Sequence, residues 1–192
     1  MEYRYCPMCA AALGKEMRGG RERPVCPQCG FVQYVNPVAG VAGIVLLEDE
    51  HKAEILRAFA SAHALPGAGR TPGRPEAGPR HILLARRRIP PDGWCIPCGY
   101  VEGDEEIRQA LVREMEEETG LEIEPVEVFT VQSNFHNPES PTVGTWFLTR
   151  VRGGSLRPGD DVDQLGFFPV DNPPPLAFPT DEAVLRRLGG GS

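Results

Sequence analysis

Three glutamates, Glu114, Glu117 and Glu118, stand at i, i+3 and i+4 within GYVEGDEEIRQALVREMEEETGL, residues 99–121. On a helix that spacing puts all three carboxylates on one face within about one turn. Like charges so close repel each other, so the cluster calls for something cationic between them. Hard carboxylate oxygens suit Mg²⁺ or Mn²⁺. A second constellation lies near the start of the chain. Cys6 and Cys9 form one Cys-x-x-Cys knuckle, Cys26 and Cys29 form another, and sixteen residues separate the two. Each knuckle offers two thiolates from one tight turn, and the two together complete a tetrahedron around Zn²⁺. Four thiolates leave no open position for a reacting water, so this zinc is structural. Pairing as two disulfides is the alternative, and it belongs to an oxidising compartment.

The glutamates need a helix to carry them. Asp104 is a suitable N-cap, Glu105 and Glu106 fall in the first turn, and Ile107, Ala110, Leu111 and Met115 give an apolar stripe at helical spacing. Gly120 follows as the stop. Glu116, Glu117 and Glu118 run against the helix dipole, a local conflict that points to function rather than stability. A solvated acidic face is the plain alternative.

The helix in turn needs a sheet. VAGVAGIVLL, residues 38–47, reads as a strand covered on both faces. HILLARRR, residues 81–88, continues the sheet. Residues 121–135 read as one or two strands, 142–151 as another and 164–170 as a short one. TDEAVLRRL, residues 180–188, closes as a helix capped by Thr180. Between the first two strands, residues 58–80 are dense in Gly, Pro and Ala and read as a mobile insertion. The expected organisation is a zinc ribbon over residues 1–35 and an α/β domain over 36–192. The ribbon is too small to bury a core of its own, and the metal offsets that deficit.

With 192 residues and 41% apolar content, the chain can bury one substantial core. A net charge of −7 argues against broad nucleic-acid or membrane-surface binding. No apolar run reaches a membrane span, and the first residues carry no signal-peptide pattern, so the expected location is the cytoplasm with no membrane partner. Cys95 and Cys98 form a further Cys-x-x-Cys. No second pair remains to complete a zinc site with them, and they read as small buried or half-buried residues rather than a redox pair.

Gly99, five residues, Glu105, seven residues, then Arg113-Glu114-Met115-Glu116-Glu117-Glu118-Thr119-Gly120-Leu121 resembles the Nudix box, with all nine defining positions filled. The resemblance implies a Nudix α/β/α sandwich with a mixed sheet. It implies a hydrolase in which water attacks the pyrophosphate of a nucleoside diphosphate linked to another moiety. Glu117 and Glu118 are then the principal Mg²⁺ or Mn²⁺ ligands and Glu114 joins them. Glu105 is a water-mediated ligand or a partner for Arg113. Arg113 holds the acidic helix against the box loop that starts at Gly99. Glu117 is the first candidate for the general base, Glu139 the second and His136 the third. The four-cysteine ribbon is similar to one attached to a subset of Nudix enzymes acting on ADP-ribose, FAD or NADH. Two features depart from the family pattern. The Ser-Gln-Pro-Trp-Pro-Phe-Pro stretch that marks NADH pyrophosphatases is absent, and Cys98-Gly99 stands where the family has Gly-Gly. A nucleotide-sensing regulator, with the ribbon binding nucleic acid or a partner protein, is the rival reading. Family members of this size are often homodimers, though no stretch of this chain demands it.

Overall fold

The strand Val38–Ile44 (β3) sits at the centre of a four-stranded sheet because its two faces alternate into two different cores. Val41 and Val45 point to one side, and Ala42 and Ile44 to the other. The computed structural model describes residues 2–47, 80–135, 137, 140–159 and 161–190. Nearly all of the 58–80 insertion, and both Glu139 and His136, lie outside the described residues.

On one side β3 pairs antiparallel with Cys98–Tyr100 (β6), and on the other it runs parallel to Thr142–Gly154 (β8). Strand β8 then pairs antiparallel with the edge strand Leu121–Asn134 (β7), a single irregular strand of 14 residues. A second, antiparallel sheet has Trp94–Cys95 (β5), His81–Arg87 (β4) and Val162–Pro169 (β9) in that order. A bridge between Leu46 and Ile82 joins the sheets, reinforced by the Leu83 N–H donating to the Val45 carbonyl at 3.0 Å. The four-stranded sheet is mixed, as the family resemblance implies.

Helix α1, Ile107–Thr119, covers one face with Ala110, Leu111 and Met115, all fully buried against Val41, Leu83 and Phe147. Helix α2, Pro179–Leu188, covers the other face with Val184, Leu185 and Leu188 against Ile44, Ile82 and Trp146. Helix, sheet, helix is the α/β/α sandwich. Both helix starts differ from the sequence expectation. The N-cap of α1 is Glu106, two residues after Asp104, and its carboxylate accepts from the Arg108 and Gln109 N–H groups. Glu105 is drawn aside to Arg113, so Glu106 is left to cap. In α2, Pro179 takes the first turn and Thr180 lies inside the helix, with no side chain capping it.

The ribbon packs differently. Gly14–Arg18 (β1) and Arg21–Val25 (β2) form a hairpin that is exposed throughout β1 and at the start of β2 and buried at the end of β2. The buried residues there are Cys6, Pro24, Val25, Cys26 and Gln33. Its two knuckles repeat one backbone pattern. Cys6 N–H donates to Ala11 and Cys26 N–H to Phe31, both at 2.8 Å, while Ala10 and Gly30 donate back to the two cysteine carbonyls. The fifth residue of each knuckle takes a positive φ, 60° at Ala10 and 76° at Gly30.

The C-terminal end of α1 is closed by a neighbouring loop. Gly120 adopts φ 70° and donates to Glu116 O, and then Ser155, Arg157 and Gly159 donate their N–H groups to the carbonyls of Gly120, Thr119 and Glu118 at 2.9–3.0 Å. Carbonyls that a helix end leaves without partners are thereby satisfied. A Cβ at Gly120 would sit 2.3 Å from Ser155 O. Gly120→Ala therefore costs about 1–2 kcal/mol for the left-handed backbone alone, and more for the displaced loop. Urea unfolding should show a lower midpoint with an unchanged slope; an unmoved midpoint contradicts this account of the helix end.

Candidate functional site

Arg113 is the hub of the acidic helix face. Its Nε and Nη2 donate to the two oxygens of Glu105 at 3.0 and 2.9 Å. Its Nη1 donates to Glu114 at 2.8 Å and to Glu117 at 3.0 Å, and Nη2 also reaches the Tyr100 carbonyl at 3.0 Å. A planar guanidinium with five N–H donors is the side chain that can bind this many acceptors at once. These bonds hold the Glu105 carboxyl below its usual range and push the Arg113 guanidinium further up. The cation that the spacing demands is thus first of all an arginine.

Glu118 is treated differently. Its carboxylate accepts the Cys98 N–H at 2.8 Å. Burial pushes its pKa up to about 7, against the lowering effect of that N–H, and repulsion from Glu114 and Asp161 adds to the rise. Glu114 is raised too, first by burial and then against the pull of Arg113. Glu117 is the open member, with 59% of its side chain exposed against 16% for Glu105 and Glu114. Gly99 is where β6 passes closest to the helix. A Cβ there would lie 1.9–2.2 Å from the three carboxyl atoms of Glu114, so glycine makes the approach of strand to carboxylate possible.

Arg113, Glu114, Glu117 and Glu118 line one wall of an open cavity of about 1220 Å³. Its other wall is the loop that closes α1, which contributes Arg157 and Asp161. Sequence reasoning did not single out either residue. Asp161 belongs to a Pro-Gly-Asp-Asp turn that looks like any solvated turn until the fold brings it opposite Glu118. Five acids among the described residues line the cavity, Glu114, Glu116, Glu117, Glu118 and Asp161, against three arginines, Arg108, Arg113 and Arg157, so acids outnumber bases there by two. A divalent oxygen-liganded cation fits that donor set. Among the described residues, the group whose ligand atoms all lie within 4.8 Å of one another is the other one, Cys6, Cys9, Cys26 and Cys29. Two of its sulfur pairs, Cys6–Cys29 and Cys9–Cys26, are 3.5 Å apart. Zinc–sulfur bonds of about 2.3 Å give tetrahedral edges of about 3.8 Å, so the cluster fits zinc. The Cys29 N–H is the main cause that lowers the Cys26 thiol to about 6, while the sulfurs around them raise Cys9 and Cys29.

The aromatic side chains divide. Trp146 is core, and its indole N–H donates to Asp181 at 3.1 Å. Trp94 packs edge-on against Phe168 with ring centroids 4.7 Å apart. Phe135 is 70% exposed. Asp181, also absent from the sequence reading, is a buried carboxyl. It accepts the Ile96 N–H at 3.0 Å as well as the Trp146 N–H, and so ties α2 to the segment that leads into the box.

Two family models match. The NUDIX domain model covers residues 74–188, and the Nudix N-terminal model covers residues 4–35. An ADP-ribose pyrophosphatase of Methanocaldococcus jannaschii is 36% identical over 106 residues, 54% of this chain and 63% of the relative. A NAD-capped RNA hydrolase NudC of Stutzerimonas stutzeri is 25% identical over 189 residues, 97% of this chain and 55% of the relative. The chain thus spans less than two thirds of the length of either. The crystal structure of a NUDIX hydrolase from Nitrosomonas europaea shares the fold, with a TM-score of 0.68 at 22% identity over 98% of this chain and 91% of that one.

Burial raises Asp181 to about 7, with the Ile96 and Trp146 donors and Arg87 pulling the other way. Between about pH 4 and pH 7 the folded protein therefore keeps a proton that the unfolded chain has lost. Stability falls as pH rises through that window and levels off above it. Asp181→Asn removes this contribution and leaves one of the two donors unmatched, at a cost of about 1–3 kcal/mol. Thermal melts from pH 4 to pH 8 should show a shallower decline for Asp181→Asn than for wild type; parallel curves contradict the assignment.

Proposed function

This chain belongs to the NUDIX domain family, and from that premise we propose that it is a pyrophosphohydrolase that uses Mg²⁺ or Mn²⁺. Its substrate is a nucleoside diphosphate linked to another moiety, an ADP-ribose-like compound or a dinucleotide such as FAD or NADH. One observation carries the reading: Arg113 bonds three carboxylates, Glu105, Glu114 and Glu117, and the last two line an open cavity together with Glu118, which rests on a backbone N–H, in a lining where acids outnumber arginines. The name of the Methanocaldococcus jannaschii relative supports the ADP-ribose class, and that of the Stutzerimonas stutzeri NudC supports the NAD-linked class.

Glu114, Glu117 and Glu118 would hold the catalytic cation, and Glu105 stays with Arg113. When bound, the cation neutralises pyrophosphate charge and makes an attacking water more acidic. The protein's own residues do the rest. Cys98 N–H aims Glu118, Arg113 spaces Glu114 from Glu117, and Arg157 offers a positive charge to a phosphate oxygen across the cavity. Glu117, the most exposed of the set, is the base that takes the proton from water. Glu139 keeps second place as base. In the ribbon, Cys6, Cys9, Cys26 and Cys29 would bind Zn²⁺ as a structural metal.

A panel of ADP-ribose, NADH, NAD⁺, FAD, nucleoside triphosphates and NAD-capped RNA, assayed with Mg²⁺ and with Mn²⁺, tests the reading. Metal-dependent release of a nucleoside monophosphate is expected from one class. Glu117→Gln should lower kcat by about 10²–10⁴-fold with no change in melting temperature. Silence across the panel, with one ligand still raising the melting temperature, would instead favour the nucleotide-sensing reading. For the ribbon, a chelator strong enough to strip zinc should abolish hydrogen-exchange protection in residues 14–25 while the sheet around β3 stays protected. Loss of protection in both at once contradicts a ribbon that depends on its own metal.

A further inference from the structure

The segment Trp94-Cys95-Ile96-Pro97-Cys98 leads into the box, and the two helices take hold of it from opposite faces of the sheet. Its Cys98 N–H donates to Glu118 of α1 at 2.8 Å, and its Ile96 N–H donates to Asp181 of α2 at 3.0 Å. Pro97 stands between them with no N–H of its own, and its carbonyl accepts the Gly43 N–H at 2.9 Å. The stretch before α2 runs beside the same segment. Trp94 donates to the Pro175 carbonyl at 3.0 Å and accepts the Ala177 N–H at 2.8 Å, and Trp94 is bridged in parallel to Leu176. Asp181 makes the tie of that series that lies closest to Cys98 along the chain.

Asp181 is 2% exposed. Burying a carboxyl is costly, and the hydrogen bonds it receives in return come from the Ile96 N–H and from the Trp146 indole at 3.1 Å. An apolar side chain would hold α2 to the sheet without that cost, as Val184, Leu185 and Leu188 do. It would leave the Ile96 N–H with no acceptor. We propose that Asp181 is a positioning residue for the carboxylate face of α1: by fixing Ile96 it fixes the Cys98 N–H two residues on, and so holds the Glu118 carboxylate where a divalent cation meets it. The cation part of this proposal rests on the function proposed above; the link from Asp181 to Cys98 does not.

The link is short and stiff. Two peptide units separate the Ile96 and Cys98 nitrogens, and the Pro97 ring locks its own φ at about −65°, so a shift at Ile96 is passed on to Cys98 rather than absorbed. At the far end, the Cys98 N–H is the donor that reaches the Glu118 carboxylate among the described residues. A hydrogen bond to an ionised acceptor is stronger than a neutral one, so its alignment decides where that carboxylate stands. A metal ligand that loses such a partner behind it costs about 10–100-fold in affinity.

The test uses the full zinc-loaded chain, well below its melting midpoint. Asp181→Ala takes the acceptor from both Ile96 and Trp146; Asp181→Leu, with the same branching and no acceptor, is the second variant if alanine does not fold. Trp146→Phe takes away only the indole donor and leaves Ile96 on Asp181, so it carries a stability cost without breaking the link. Asp181→Asn combined with Trp146→Phe leaves one amide oxygen for one donor, Ile96, and serves as the rescue. Two quantities are read: the Cys98 amide signal by nitrogen–proton NMR with no divalent cation added, and Mn²⁺ affinity by water-proton relaxation. In the Asp181→Ala or Asp181→Leu protein the Cys98 amide proton should move upfield and exchange faster, and Mn²⁺ should bind about tenfold more weakly, the lower end of the range for such a loss. Trp146→Phe should melt lower and keep both readings, and the double variant should return both toward wild type. The proposal is overturned if the Asp181 variant folds with the Cys98 amide and Mn²⁺ affinity of wild type, or if the amide moves while Mn²⁺ affinity does not. It is equally overturned if Trp146→Phe changes both as much as the Asp181 variant does, or if the double variant stays as weak as the Asp181 variant. A wild type that binds no Mn²⁺ counts against the proposed function, and the Cys98 amide still decides whether Asp181 sets that bond.

Discussion

One guanidinium makes the acidic helix tenable. Carboxylates at i, i+3 and i+4 repel, and two of them, Glu114 and Glu118, are far enough from water for burial to raise their pKa values. Arg113 answers three of the acids on this face through bonds of 2.8–3.0 Å and spends one more N–H on the Tyr100 carbonyl. Through Tyr100 and Glu105 it also holds the box loop to the helix, so the site's charge balance and its shape depend on the same side chain. What Arg113 leaves unbalanced is the chemically useful part. Glu118 accepts a backbone N–H and feels Arg87 only through its charge, and Glu117 is mostly in solvent. A face that a single arginine can hold together but not neutralise is where we propose a divalent ion binds.

The rest of the fold serves that face. Strand β3 is covered by α1 on one side and α2 on the other, and glycine at 99 lets β6 run against Glu114. The loop after β8 gives its N–H groups to the last carbonyls of α1 and carries Arg157 and Asp161 round to face the carboxylates. Positioning is therefore done largely by backbone: the Cys98 N–H on Glu118, the Gly159 N–H on the Glu118 carbonyl, and the Ile96 N–H on Asp181.

Much of this was legible in the residues. The spacing of the box, the unbroken apolar run of β3 and the two cysteine knuckles are local patterns, and local patterns survive without a fold. What escaped is non-local or a contest between equals. Asp104, Glu105 and Glu106 are all fair caps for α1, and the choice of Glu106 is settled by Arg113 taking Glu105, which no local rule contains. Asp161 and Asp181 are ordinary acids in the sequence, and only the chain's return across the sheet makes one face Glu118 and buries the other under Trp146. Trp146 is an aromatic that could stack on a base until its burial shows it to be core.

The most direct measurement is Mn²⁺ binding, followed by water-proton relaxation in the zinc-loaded protein, wild type beside Glu118→Gln. If the carboxylate face of α1 is a divalent-cation site, wild type binds Mn²⁺, Mg²⁺ competes it off, and Glu118→Gln loses the binding while keeping its zinc and its melting profile. Equal Mn²⁺ binding by the two proteins, or none by wild type, would mean that Arg113 is the only cation this face was built to hold.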